Sequence, residues 1–262
     1  GQAFVKFAPG VDKQIALGAV GATIVKEFSD IGWTLVNLPQ GMTVAAGIET
    51  LSHQFGVVQV DGNHVYHPNL TPNDPGVGSQ YGLSRINAFR AWDIHTGDTT
   101  GNEVTIAMID TGIDTTITDF AGPPSKMVYT NQYFNPAAGD DPLNPPVACS
   151  HGTMTASVAA GIGNNGVGIS GVAWGNKVHL ISLRVFDSGC ANASDPAIIN
   201  ALTYARTTLV GAGLGKIVVN MSLGGVGSCP TAISDELKLD VAAGITVIIA
   251  TGNNGGAVEY PA

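Results

Sequence analysis

The chain has 262 residues, 44% hydrophobic and only 12% charged, with 35 glycines. That mix suits a large buried sheet joined by tight turns and excludes a disordered chain. Lys and Arg total 11 against 20 Asp and Glu, giving a formal charge of −9 and a pI near 4.9. No Lys/Arg cluster offers the basic face that nucleic acid requires, and no apolar run reaches the roughly 20 residues that span a bilayer. The length allows one large α/β domain and a small one. Gly1-Gln-Ala-Phe-Val5 carries no initiator Met and no charged-then-apolar leader, as expected of a chain whose targeting segment has been removed or left out. The three cysteines are an odd number, so at least one thiol is free or bonded between molecules.

Taken in chain order, residues 1–68 alternate short apolar runs (Ala3–Phe7, Ala22–Phe28, Trp33–Val36, Val57–Val60) with two stretches of helical spacing, Asp12–Val20 and Val44–Phe55. This predicts a small α+β, ferredoxin-like unit of βαββαβ outline. His67–Gly76 follows, with three prolines among Asn, Asp and Gly, and reads as a linker. Residues 69–262 follow a different pattern. Val104–Ile109, Val178–Val185, Ile217–Met221 and Ile245–Ala250 are nearly continuous aliphatic runs, as in strands buried on both faces of a parallel sheet. Helices are expected between them at His151–Ala160, at Ser194–Thr207 behind a Ser-Asp-Pro start, and at Ile233–Ala243 ahead of Gly244. The alternation predicts a doubly wound α/β fold with a mainly parallel sheet, whose site lies beyond the carboxyl ends of the strands.

Four segments at those ends could carry chemistry. Asp110 closes the Val104–Ile109 strand; a carboxylate buried there needs a partner, and a turn cap is the plainer alternative. His151, in Ser150-His-Gly-Thr153, opens a helix rich in small residues. Met221-Ser222-Leu223-Gly224-Gly225 ends a strand with bare backbone to which an extended peptide could add. Asn253, in Thr251-Gly-Asn-Asn-Gly255, could donate its amide to an oxyanion or form an ordinary Asn-Gly turn.

The order Asp110-Thr-Gly-Ile-Asp114, then Ser150-His-Gly-Thr153, Ser222-Leu-Gly-Gly225 and Thr251-Gly-Asn253 resembles the subtilisin-like serine proteases, or subtilases. The thermitase-like branch is the most similar, through Thr71-Pro-Asn-Asp-Pro75 and Gln80-Tyr-Gly-Leu-Ser-Arg-Ile86. The resemblance implies a serine endopeptidase that hydrolyses polypeptides in extended form. Asp110 would orient and stabilise the His151 imidazole, His151 would act as general base and then acid, and Asn253 would bind the oxyanion. Ser222, Leu223 and Gly224 would form one wall of the substrate groove, with Leu183–Gly189 approaching the other. Met154-Thr155-Ala156-Ser157 departs from the family's usual His-Val-Ala-Gly after His-Gly-Thr, and a packing change only is expected. The family's nucleophile lies in Gly-Thr-Ser-Met-Ala, beyond a Tyr-Pro-Ala like Tyr260-Pro-Ala262, and no such segment occurs in the 262 residues. The fold is therefore expected to be incomplete at its C-terminal end and the isolated chain inactive, with the Ser supplied by a C-terminal fragment or continuation.

Residues 1–68 resemble the family's inhibitory propeptide through Phe4-Val-Lys-Phe7 and Val58–His67, which implies a pro-domain bound in cis and processing within Tyr66–Thr71. The resemblance also implies a structural Ca²⁺ held by Asp74, Asp119 and Asn165, hard oxygen ligands of the type calcium prefers. It implies a Cys190–Cys229 disulfide near the groove rim, leaving Cys149 over, and secretion. A non-catalytic peptide-binding relative and a propeptide-type inhibitor or folding chaperone are the alternatives.

Overall fold

The computed structural model describes residues 1–64, 70–98, 101, 103–122, 125–128, 132–134 and 149–262. It divides into two compact units, Gly1–His67 and Pro68–Ala262.

In the first unit, β1 (Gln2–Phe7) leads to α1 (Lys13–Gly18), then β2 (Thr23–Phe28), β3 (Trp33–Asn37), α2 (Val44–Ser52) and β4 (Val57–Gly62). Both helices start at sequence-coded caps. The Asp12 carboxylate accepts from the Gln14 and Ile15 amides, and the Thr43 hydroxyl accepts from the Ala46 amide. The sheet order is β2-β3-β1-β4, all antiparallel. One face of β1, Ala3 and Val5, is fully buried with Leu17, Val36 and Leu51, so period-2 strands and the helices share a small core. This is the expected βαββαβ order.

The second unit opens on Leu70–Gly76, the described part of the expected linker; His67–Asn69 lie outside the described residues. Leu70–Gly76 is docked on its own unit. Leu70 packs with Val77, Leu83 and Trp92, Asp74 is 4% exposed, and the Gly76 amide donates to the Gly168 carbonyl. Of the expected processing segment Tyr66–Thr71, only Leu70 and Thr71 are described. Then come α3 (Tyr81–Arg85), α4 (Ala88–Trp92), β5 (Val104–Asp110), α5 (Thr118–Ala121), β6 (Gln132–Tyr133) and α6 (His151–Ala160). β7 (Val178–Arg184), α7 (Asp195–Tyr204), β8 (Lys216–Met221), α8 (Thr231–Ala242) and β9 (Thr246–Ile249) complete it. The sheet is parallel throughout, ordered β6-β7-β5-β8-β9. From β5 the chain moves outward to β6 and β7, then crosses back past β5 to β8, which makes the fold doubly wound with its switch point at β5.

The alternation within β5 places the two helical layers. Ala107 and Ile109 pack with Ala197, Ala201 and Leu202 of α7 and Ile233 of α8. Met108 packs with Ala156 and Ala160 of α6 and with Phe120 of α5. Odd positions of β5 thus face α7 and α8, and even positions face α6. The predicted Ser194–Thr207 helix is α7 followed by a π-helical turn over Ala205–Leu209.

Candidate active site

Asp110 has the parity of Met108, so its side chain leaves β5 on the α6 side, and α6 begins at His151. His151 Nδ1 donates to Asp110 Oδ1 at 2.8 Å. Asp110 is 1% exposed and the His151 side chain 51%, so the carboxylate is buried while the ring reaches solvent. With Nδ1 holding the bonded proton, Nε2 of the neutral ring is left as a proton acceptor. The close approach depends on Gly152: a Cβ there would lie 3.1 Å from Asp110 Oδ1 and would collide with the Gly112 carbonyl. The amino end of α6 also adds its positive dipole end to the stabilisation of Asp110.

Two threonines complete the surroundings. The Thr111 amide donates to Asp110 Oδ1 at 2.7 Å, and the Thr111 hydroxyl donates to the Cys149 carbonyl at 2.9 Å while accepting from the Gly152 amide at 2.9 Å. That hydroxyl fastens the end of β5 to the start of α6. The Thr155 hydroxyl lies 3.3 Å from Asp110 Oδ2. The expectation that Met154–Ser157 differs from the family pattern in packing alone is therefore corrected at Thr155: one turn along the helix from His151, position 155 faces the carboxylate and brings it a hydroxyl donor.

His151, Met154, Thr155, Asn220 and Ser222 line one open depression of ≈ 400 Å³. The structure thus brings Ser222 together with the Asp110–His151 pair, and the Ser222 hydroxyl accepts from the Asn220 side-chain amide at 3.0 Å. Leu223 and Gly224 continue away from the depression toward an antiparallel bridge in which Gly225 and Tyr260 exchange both backbone hydrogen bonds. Asn253 stands in an exposed turn four residues beyond the end of β9, on the same strand-end edge as Asp110 and Ser222, and does not line the depression.

Away from this edge, Asp74, Asp119 and Asn165 meet in one loop cluster. Asp74 accepts from the Asn164 and Asn165 amides at 2.7 and 2.9 Å, and Asp119 Oδ1 accepts from the Asn165 side-chain amide at 3.2 Å. The Ile169 amide donates to Asp119 Oδ2 at 3.2 Å, and Gly168 leaves room beside that oxygen which a Cβ would fill. Both carboxylates are buried, 4% and 7% exposed. Among the described residues neither has a Lys, Arg or His partner within ion-pair distance. Two buried anions joined only to neutral donors are a hard-oxygen set that a divalent cation would complete. No group of three His, Cys, Asp or Glu gathers among the described residues.

The cysteine expectation is overturned. Cys149 bonds Cys190, with Cα atoms 5.4 Å apart, and Cys229 is free. The Asp187 carboxylate accepts from the Ala191 amide and the Asn192 side chain, curling the loop after β7 back on itself so that Cys190 meets the residue two before His151. Cys229 instead packs half-buried against the core under α7 and α8.

Residues 101–262 match the subtilase family, Peptidase_S8. The chain belongs to that family. Residues 1–62 match the fervidolysin N-terminal prodomain. Thermitase of Thermoactinomyces vulgaris is 35% identical over 195 residues, covering 73% of this chain and 62% of that protein. The extracellular protease of Xanthomonas campestris pv. campestris is 31% identical over 274 residues, covering 92% of this chain and 45% of that protein. A solved protease structure from Pseudoalteromonas arctica aligns with a TM-score of 0.56 and 25% identity, over 71% of this chain and 60% of that one. The subtilase described here spans about half to three-fifths of the length of these relatives.

Thr111 and Thr155 are the site residues of this subtilase that sequence reasoning missed. Thr111 sat inside the Asp110–Asp114 motif as an unremarked letter. Thr155 had a usable signal: a β-branched hydroxyl four residues after His151 shares its helix face.

Proposed function

We propose that this chain supplies the Asp and His of a serine endopeptidase site, with the nucleophilic serine contributed by residues outside the 262. The observation that carries the reading is the 2.8 Å bond from His151 Nδ1 to the buried Asp110, with the ring open to the depression it shares with Ser222. In the reaction, His151 Nε2 takes the proton of a serine hydroxyl as it attacks the peptide carbonyl, and later returns it to the leaving amine. Asp110 holds the imidazole in the productive tautomer and stabilises its cation. The Asn253 amide serves as an oxyanion donor, which its exposed place on the strand-end edge permits. Ser222, Leu223 and Gly224 offer backbone to an extended peptide.

The serine-bearing segment has an apolar seat in this proposal. Met154, Val158 and Val172 are 56%, 52% and 39% exposed, and all three line the depression beside His151. Residues 1–68, of which 1–62 match a prodomain, act in cis as an inhibitor and folding template. Asp74, Asp119 and Asn165 hold a structural Ca²⁺, for which the support is two buried carboxylates with no ion-pair partner among the described residues. Secretion is proposed from the resemblance and from a relative described as extracellular.

A fluorophosphonate probe tests the catalytic reading. The 262-residue chain alone is expected to stay unlabelled, and the chain extended by its natural continuation to label. Labelling should vanish in His151→Ala, and Asp110→Asn should lower kcat/KM by about 10⁴-fold. Labelling of the short chain would refute an external serine. A continuation without a reactive serine would leave the peptide-binding alternative.

A further inference from the structure

We propose that Thr155 is a positioning residue for the His151–Asp110 pair, holding the second carboxylate oxygen of Asp110 with its hydroxyl; the proposal rests on reading that pair as the proton-transfer couple. The two oxygens of Asp110 are unequally served. Oδ1 accepts from the Thr111 amide and from the His151 ring. Among the described residues, the only hydrogen bond to Oδ2 comes from Thr155, at 3.3 Å. Asp110 is 1% exposed, so bulk water does not replace a missing donor, and a buried anionic oxygen left unbonded is costly.

The Thr155 hydroxyl has one proton and two acceptors in reach, Asp110 Oδ2 at 3.3 Å and the Gly152 carbonyl at 3.1 Å. Back-bonding to a carbonyl one turn earlier is an ordinary habit of helical threonine. The carboxylate is nevertheless the stronger acceptor because it carries charge, and it lacks another donor at that oxygen. The hydroxyl is anchored on the helix that presents His151, four residues from it. One rigid element therefore holds both ends of the carboxylate, the ring on Oδ1 and the hydroxyl on Oδ2.

The two acceptors make different predictions for the imidazole, because a hydroxyl given to the Gly152 carbonyl alone would leave it unaffected. A donor on Oδ2 draws negative charge away from Oδ1, so the imidazolium is held less firmly. Without the donor, His151 should keep its proton to higher pH. Among the described residues the nearest charged groups along the chain and the sheet are Arg184, opposite Asp110 in register on β7, and Asp114 in the loop after β5, which accepts from the Thr116 amide and hydroxyl. Both stay constant through the series below.

The experiment follows the His151 titration by NMR in the full 262-residue chain, with His151→Gln to assign the signal. Thr155→Val, close in shape, is expected to raise the apparent pKa of His151 by about half a unit, and Thr155→Ser to return it to the parent value. Should Thr155→Val not fold, Thr155→Ala makes the same comparison. In an Asp110→Asn background the Thr155→Val shift should disappear. In the protein carrying its serine, Thr155→Val should lower kcat with little change in KM and move the acid limb of the rate profile upward. An unchanged or lowered His151 pKa in Thr155→Val, or a shift that persists in Asp110→Asn, would overturn the positioning role. If Asp110→Asn itself leaves His151 unmoved, the pair is not coupled, and the catalytic reading falls with it.

Discussion

Cys190 adopts a left-handed backbone, φ 59°, at the tip of the loop after β7, and that turn lets it reach Cys149. The bond ties the loop after β7 to the residue two before His151 across a sequence separation of 41. Closing a loop of that length in the unfolded chain stabilises the fold by about 4 kcal/mol on the chain-entropy account. Cys190→Ser should lower the urea midpoint by a matching amount, and thiol labelling of the unreduced chain should find Cys229 alone. Recovery of label on Cys149 would refute the pairing. Asp110 and His151 were legible in the sequence through the ordered motifs that resemble the subtilases, and the small residue Gly152 beside them is what lets the two segments come this close. The disulfide was not legible, because three cysteine positions do not encode the path of a loop. Asp187, whose carboxylate curls that loop, reads in sequence like any turn aspartate.

Among the elements, the long ones could be foreseen and the short ones could not. Strands β5, β7 and β8 are six or seven residues of aliphatic sequence, and α6 runs over the expected His151–Ala160. By contrast α3, α4 and α5 have five, five and four residues and β6 has two, too few to show a period. The contact of α8 with the π-helical turn that follows α7 contains a feature that sequence pattern hides. Asp240 is fully buried beside Arg206 and Glu236; Arg206 Nε lies 3.3 Å from it, and Arg206 Nη2 lies 2.7 Å from Glu236. Burial first, and Glu236 second, push the Asp240 carboxyl up to about 6, with Arg206 opposing them. Between its ordinary value near 4 and about 6 the folded chain then binds more protons than the unfolded one, so this group's contribution to stability falls as pH rises through that window. Asp240→Asn should gain on the parent in urea midpoint from pH 4 to pH 6 and hold a constant difference above it. A constant difference throughout would show that Asp240 ionises normally.

On the scale of the whole molecule, two units with separate cores are strung on one chain, and the second carries both the Asp110–His151 edge and the Asp74–Asp119 cluster. If the cluster holds Ca²⁺, saturation about a hundredfold above Kd stabilises the fold by about 2.7 kcal/mol. For a chain of this size that corresponds to a Tm rise of roughly 5–10 °C. EDTA should reverse the rise, and Asp119→Asn should abolish the response; a Tm indifferent to both would remove the site. The layered sheet was legible at this scale from its alternating elements, whereas the docking of Leu70–Gly76 was not, because proline-rich sequence describes an irregular path whether or not it is packed. The residue-for-residue pairing of Val104–Asp110 with β7, and of Val104–Ile109 with β8, has a consequence for how such a chain can vary. Removing one residue inside the strand would exchange its two faces, turning the carboxylate into the greasy layer beneath α7 and offering isoleucine to the imidazole. Changes of length are therefore confined to the loops that leave positions 110 and 184, and the strand itself admits only exchange of one side chain for another.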